Sequence, residues 1–536
     1  MFPPKLKTLL LFLALPALGQ DMPKLVQKDG NFSLQVDGKP YLVLGAQVHN
    51  SSGWPDSLNA VRSAVVQLHA NTIMVPVYWE ATEPEQGKYD FTNIDKMLEC
   101  ARSCNVRIAM LWFGTWKNGG MDYTPPWVKT DPKTYPRVID QDGHAVDAIS
   151  PISQAGAEAD GKALAAVMQH LKETDSDRHT VILVQVENEA GTLGSDRDYS
   201  PAANELFTAA VPEIVLGSLH KEPGTWQKVF GAYAAEAFAS YYTAHYINQV
   251  AAAGKAVYPL PIYVNVWPRE QSGLLRPGYS SPSGGAVSWL LDMWKAVATS
   301  IDIIGPDNYD SNAQLFLNIA HLYTRADNPL LVPETGTTVA HARHMFYVFA
   351  TPGALGISMF GINPVGMGPV APVASGTAEM RRRDSDEVAI NYKLIEPCIP
   401  ALLAARDAGH LKAAVEEDGV NNGELTFDSF DAVARFGPVR PSYSGEKGTG
   451  NPDLSGRVLV AQLAQDEFLV VGCNANVVFS PKLGDPEKHT SFLSVEEGSY
   501  QNGNWHKSRL WNGDQTYFGL ALPHDGQTLR VKLMKY

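Results

Sequence analysis

Thr180–Gly191 reads TVILVQVENEAG. From Val181 to Val186 the run is apolar apart from Gln185 and mostly β-branched, strand-like in length and too short for a typical helix. It then turns abruptly polar at Glu187, Asn188 and Glu189 and stops at Gly191. A strand with no apolar/polar alternation is one covered on both faces, as in a parallel sheet flanked by helices. Seven other runs share this character: YLVLGAQV from Tyr41, NTIMVPV from Asn71, VRIAMLW from Val106, PIYVNV from Pro261, IDIIG from Ile301, PLLVP from Pro329 and ALGISMF from Ala354. Between them lie helix-compatible stretches such as SLNAVRSAVVQLHA, GKALAAVMQHLKE and FGAYAAEAFASYYTAHYINQVAAAG. Eight strands, each followed by a helix, predict an α/β fold of the (β/α)8 barrel type. A doubly wound open sheet is the rival, disfavoured because no GxGxxG follows the first strand.

A helix-like stretch from about Val388 to Val415 closes this region. Beyond it come short β runs separated by Gly, Pro, Asn and Asp: GELTFDSF, GRVLVAQLA, EFLVVGCNANVVF, TYFGLAL and TLRVKLMKY. That spacing predicts a smaller C-terminal antiparallel β-sandwich. SYSGEKGTGNPDLSG, from Ser442, reads as a loop within it. At the other end, Lys5 and Lys7 precede an apolar run, Leu9–Leu15, and the small-residue stretch Ala17-Leu18-Gly19. This is the pattern of a cleaved signal peptide. The expected division is therefore 1–19 leader, 20–415 barrel and 416–536 sandwich, in a secreted or periplasmic protein. No other run is read as a membrane span.

The chain has 536 residues, 45% of them hydrophobic and 19% charged, with a formal charge of −14. An acidic chain has no basic surface to offset phosphate, which argues against nucleic acid and anionic membranes as partners. Its four cysteines, Cys100, Cys104, Cys398 and Cys473, show no metal-ligand spacing with other ligands nearby. Cys100 and Cys104 are expected to pack on a helix, and one long-range disulfide stays open. Neither a metal nor an organic cofactor is expected. A homodimer through the β domain is the one assembly considered.

In a barrel of this kind the chemistry sits just beyond the strand ends. There the fourth strand places Glu187-Asn188-Glu189 and the seventh places Glu334. Carboxyls entering one mouth from nearly opposite sides suit a two-carboxylate glycosidase. Spacing alone does not choose between Glu187 and Glu189, which are two apart and so can share a face. Aromatics recur at the same end: Tyr78, Trp79, Trp112, Phe113, Trp116, Trp267, Tyr309 and Phe360. Taken singly, such a residue is more often core; recurring at one end, they suggest walls for the apolar faces of sugar rings.

VILVQVENEAG resembles the acid/base segment of family 35 glycoside hydrolases. VPVYWEATEPEQGKYDF resembles that family's second-strand segment, and WKNGGMDYTPPWV its third-strand segment, with Trp116, Gly119, Gly120 and Trp127 matching. The resemblance covers about Tyr41 to Phe360, and the C-terminal portion looks like the sandwich of a bacterial subgroup. It implies a retaining β-galactosidase in which Glu189 is acid/base, Glu334 is nucleophile and Asn188 bonds the sugar 2-OH. It also implies galactose contacts at Glu80, Trp116, Lys117 and Asn118, and Tyr309, among the strand-end aromatics, is expected to join them. Two positions depart from the pattern: Glu80 stands where much of the family has Asn, and Thr115 where much of it has Glu. A carboxylate moved between neighbouring strands accounts for both, with Lys117 and Asn118 as added hydroxyl donors. The substrate implied is a terminal β-galactoside on an oligo- or polysaccharide, such as a xyloglucan side chain. The alternatives are another retaining β-glycosidase (β-glucosidase, β-mannosidase or endo-acting) and an inactive carbohydrate-binding barrel.

Overall fold

The computed structural model describes residues 21–362 apart from 29 and 274, then 378–437 and 450–536, with side chains of 378–385 excluded. The expected leader and most of the loop from Ser442 lie outside these residues.

Eight parallel strands form one sheet: β1 (Val43–Gln47), β2 (Thr72–Tyr78), β3 (Arg107–Lys117), β4 (Val181–Asn188), β5 (Ile262–Val266), β6 (Ile303–Pro306), β7 (Leu331–Thr335) and β8 (Gly356–Phe360). Their order is 6-5-4-3-2-1-8-7, so hydrogen-bonded neighbours run almost fully round a barrel. Nearly every strand residue is buried, as uniform apolarity requires. The remaining seam, between β6 and β7, is not a regular ladder. Pro333 in β7 has no N–H to offer, and a Cβ on Gly305 of β6 would meet the Pro333 ring at 2.5 Å. The seam closes at the mouth, where Asn308 N donates to Glu334 O at 2.9 Å and Thr335 Oγ1 donates to Asn308 O at 2.8 Å.

Helices α1 (Leu58–Leu68), α2 (Thr92–Cys104), α3 (Gln154–Thr174), α4 (Ala234–Val257), α5 (Leu291–Val297), α6 (Ala313–Tyr323), α7 (Val339–Ala350) and α8 (Ala378–Ile395) follow the strands in turn. Their apolar stripes meet outward strand residues such as Val77, Trp112 and Val186 in the main core. The strands Lys24–Lys28, Asn31–Val36 and Lys39–Tyr41 form a small sheet. Leu34 and Val36 from it pack with the inward residues Val43, Met74, Ala109, Leu183, Tyr263, Ile303 and Leu331. Cys100 and Cys104 both lie on α2 and are half-buried, and all four cysteines are free thiols.

The sandwich begins earlier than expected. Leu411–Val415 is a strand pairing with Arg457–Ala464, so the helix-like reading to Val415 and the boundary at 415/416 both cut into the second domain. Helix ends at Asp407, and Gly409 (φ 78) turns the chain out of it. Six strands form one sheet and four the other. Thr490–Gln501 and Asn504–Leu510, a hairpin in the larger sheet, carry too many polar residues to be counted as strands by apolarity. The readable signal was Asn502-Gly503, both with positive φ, the two-residue turn favoured by hairpins.

Among the described residues one stretch, Asp386–Asp407, is long and apolar enough to cross a membrane, contrary to the expectation that no run is. Its Val388, Tyr392, Ile395 and Leu402 are buried in the main core instead. Tyr392 donates to Gly45 O at 2.8 Å, tying α8 to β1. From the sandwich side, Arg457 pairs with Glu387 at 2.8 Å and donates to Asn391 Oδ1 at 2.6 Å. The helix thus joins the two domains through polar as well as apolar contacts.

Candidate active site

Glu334 ends β7 and is buried with both oxygens engaged. Gln47 Nε2 donates to Oε1 at 2.7 Å, Asn188 Nδ2 to the same oxygen at 3.3 Å, and Tyr309 OH to Oε2 at 2.7 Å. A carboxyl that only accepts from three donors has the bonding of an ionised carboxylate.

Glu189 faces it. The two carboxyls and that of Asp307 each contribute an oxygen lying within 4.8 Å of the other two. Retaining glycosidases place their carboxyls about 5–5.5 Å apart, a spacing that oxygens within 4.8 Å of each other accommodate. Burial pushes the Glu189 carboxyl up to about 7, the nearby Glu334 charge adds to this, and Lys117 and a hydrogen bond with Asp307 oppose it. Loss of water is the larger of the two raising effects.

The backbone explains how Glu189 comes to the pocket. Glu187 (φ 63) and Glu189 (φ 45) both lie in the left-handed region, rare for a residue with a Cβ and common where function demands strain. The turn at Glu187 breaks strand alternation. Glu187 Oε2 accepts from Trp116 N at 2.7 Å, and its carboxyl adjoins Asp160 on α3, outside the barrel. Asp160 in turn accepts from Trp112 Nε1, Thr115 N and Thr115 Oγ1 at 2.6–3.0 Å. Burial and the neighbouring Asp160 hold Glu187 well above the usual carboxylate range, so Glu187 keeps the shared proton.

The other expected site residues divide. Asn188 and Tyr309 touch Glu334. Lys117, buried, lies 5.5 Å from the Phe113 ring centre and acts electrostatically on Glu189 and Asp307. Asn118 takes the Lys117 ammonium on Oδ1, and its N–H donates to Asn188 O at 3.0 Å. Glu80 stands on the rim, 3.8 Å from Lys129 and half-exposed, away from the carboxyl cluster. Trp116 is not brought to the site: it is 1% exposed, and its ring packs edge-on against Tyr246 of α4 at 4.6 Å. Trp79 and Trp112 are likewise core, as is Thr115. The third strand turns these side chains toward the helices, so packing decides them.

Three functional candidates escaped the sequence reading. Gln47 ends β1, Asn265 lies in β5 and Asp307 follows β6, so strand-end position was their available signal. Gln47 Oε1 and Asn188 Oδ1 are buried acceptors without a protein donor among the described residues, suited to sugar hydroxyls. Above the pocket an aromatic ladder reaches outward. Phe113 meets Tyr123 at 5.2 Å, Tyr123 stacks on Tyr78 at 5.0 Å, and Tyr78 stacks on Trp54 at 5.2 Å. Trp54, at the outer end, is 42% exposed, and the Tyr309 ring is 38% exposed while its hydroxyl meets Glu334.

The three carboxyl oxygens are also close enough to ligate a cation. A cation there would compete with the N–H and O–H groups already on Glu334 and with the Lys117 charge, so the donor set suits proton and carbohydrate chemistry better.

Residues 33–259 match the family described as Glycosyl hydrolases family 35, and residues 388–523 match a domain of unknown function, DUF5597. The second match begins inside α8, consistent with that helix packing on both domains. A β-galactosidase of Xanthomonas manihotis is 29% identical over 185 residues, 32% of this chain and 28% of that protein. Human β-galactosidase-1-like protein 3 is 25% identical over 203 residues, 34% of this chain and 27% of that protein. The matched segments thus span little more than a quarter of these relatives' length. A solved β-galactosidase from Bacillus circulans sp. alkalophilus superposes with a TM-score of 0.48 at 11% identity, covering 92% of this chain and 99% of that one. Over residues 33–259, which carry the first four strands of the barrel up to the end of α4, the chain is similar to glycosyl hydrolases family 35.

Proposed function

We propose that the protein is a retaining exo-β-galactosidase acting on terminal β-galactosides of oligo- or polysaccharides. The observation that carries this reading is the buried Glu189–Glu334 pair, within 4.8 Å and in unlike environments. Glu334 attacks the anomeric carbon while Glu189, protonated because its carboxyl sits at about 7, gives its proton to the departing oxygen. Water then opens the galactosyl-enzyme with Glu189 as base, and Glu189 recovers its proton from that water. Tyr309, Gln47 and Asn188 hold Glu334 in line, and Lys117 balances negative charge.

Galactose is supported by the named relatives, and a carbohydrate chain as aglycone, such as xyloglucan, by the aromatic ladder from Phe113 to Trp54. The basic–apolar–small pattern of residues 1–19 supports export, to be checked by the N-terminal mass of protein from its host.

The test is turnover of aryl β-glycosides. A site built around hydroxyl hydrogen bonds discriminates strongly, so galactosides should exceed glucosides by about a hundredfold or more. Equal rates would favour another retaining β-glycosidase, and no turnover of any sugar would favour a carbohydrate-binding barrel.

A further inference from the structure

Three carboxyl groups, not two, meet in the pocket. Asp307 is 1% exposed and directly follows β6, where its N–H donates to Val266 O at 2.9 Å. A single side chain fixes it relative to Glu189. Asn265 Oδ1 accepts from Glu189 N at 2.9 Å, and Asn265 Nδ2 donates to Asp307 Oδ2 at 2.7 Å. The two ends of one amide therefore hold the Glu189 backbone and the Asp307 carboxyl in register.

The charges around Asp307 come from every neighbouring strand. Glu189 faces it from β4, Glu334 from β7 and Lys117 from β3. The phenols of Tyr263 on β5, Tyr309 beyond β6 and Tyr323 on α6 complete the surroundings. Lys117 is the one cation among these groups. With all three carboxyls ionised, the dry pocket would hold two uncompensated negative charges. Glu334 has its three donors, whereas Asp307 Oδ1 is buried and receives no N–H, hydroxyl or phenol donor among the described residues, leaving the Glu189 carboxyl as the group it can share a proton with. A bare buried carboxylate oxygen is costly, and a proton on it removes the cost and makes it a donor. Burial, then Glu334 and Glu189, push this carboxyl well above the usual range, which agrees with the geometry.

We propose that Asp307 stands as a neutral carboxylic acid at neutral pH and is a positioning residue for Glu189. Its Oδ1–H donates to the Glu189 carboxylate left when the aglycone departs with the Glu189 proton. It thereby holds that carboxylate toward the incoming water. Asp307 keeps its own proton throughout, and the proton released by water goes to Glu189.

This rests on the retaining-hydrolase reading, and its test separates the two. A donor to the Glu189 carboxylate favours the ionised form. Removing that donor raises the point at which Glu189 loses its proton, which sets the basic limb of kcat/KM. Asp307→Ala should move that limb upward by about one pH unit, while Asp307→Asn, a neutral side chain with an N–H donor, should leave it in place. An ionised Asp307 predicts the opposite sign, with both variants moving the limb downward as a negative neighbour is lost; that result, or no movement in Asp307→Ala, overturns the proposal. The second measurement needs neither turnover nor the alanine variant. The infrared difference between the wild type and Asp307→Asn at pH 7 should show loss of a protonated-carboxyl C=O band. Loss of a carboxylate band instead overturns the proposal. If the wild type turns over no glycoside, the hydrolase reading fails while the infrared result still decides the state of Asp307.

Discussion

Glu187 and Glu189, two residues apart at the end of β4, face opposite sides of the barrel wall. Glu187 holds Trp116 N at 2.7 Å beside Asp160, and Glu189 reaches the oxygens of Glu334 and Asp307. Glu187→Gln keeps a neutral side chain where a protonated one already sits. It should cost less than about tenfold in kcat, since it removes no proton-transfer group. Glu189→Gln should cost about 10²–10⁴ on substrates with poor leaving groups and far less on acidic phenols. Leaving-group dependence in Glu187→Gln would reverse the assignment.

The two carboxyl roles separate by product stereochemistry. On the proposed mechanism Glu334→Ala loses the atom that bonds the sugar, so rates should fall by roughly 10⁴ or more. With azide it should yield the α-galactosyl azide, because azide enters from the vacated side. Glu189→Ala should accumulate galactosyl-enzyme on an activated substrate and yield the β-azide. Nuclear magnetic resonance of the products reads the anomers, and exchanged products mean exchanged roles.

Stability should carry the mark of Glu189. Its carboxyl lies at about 7 in the folded protein against 4.5 ordinarily. The folded state holds that proton more tightly, so the contribution is full below pH 4.5 and lost as pH rises through 7. Glu189→Gln avoids the loss. Its stability relative to wild type should therefore grow between pH 5 and pH 8 by on the order of 2–3 kcal/mol, read by thermal melts. A pH-independent difference would show that the carboxyl is not perturbed.

Trp54 tests the outer end of the aromatic ladder. Removal of one stacking ring is worth about 0.5–1.5 kcal/mol. Trp54→Ala should lower kcat/KM on a galactosylated oligosaccharide about 3- to 10-fold more than on a small aryl galactoside. Equal losses on both would place the aglycone elsewhere.

Arg457 probes the junction of the domains. It is fully buried against Glu387 and Asn391. Arg457→Ala strands the Glu387 carboxylate and should destabilise by about 3–5 kcal/mol in denaturant unfolding. Arg457→Ala with Glu387→Gln should recover part of this, because the unpaired charge is gone.

The eight barrel strands were readable because parallel strands covered on both faces are apolar along their whole length, a property carried in short segments such as Val181–Val186. Glu189 and Glu334 were readable as candidates for a related reason, since they stand where an apolar run stops, although that position left Glu187 open beside Glu189. Tertiary structure decided the rest. A left-handed backbone at Glu187, read from no local pattern, sends one glutamate outward and the next two side chains inward. Packing against α3 and α4 claims Trp112 and Trp116, which strand-end position alone assigned to the mouth, and with them Thr115. Gln47 meets Glu334 across 287 residues of chain, and Asn265 joins Glu189 to Asp307 from a third strand. Those contacts exist only once the barrel has closed, because closure alone brings strand ends distant in sequence to one dry pocket where their charges act on one another.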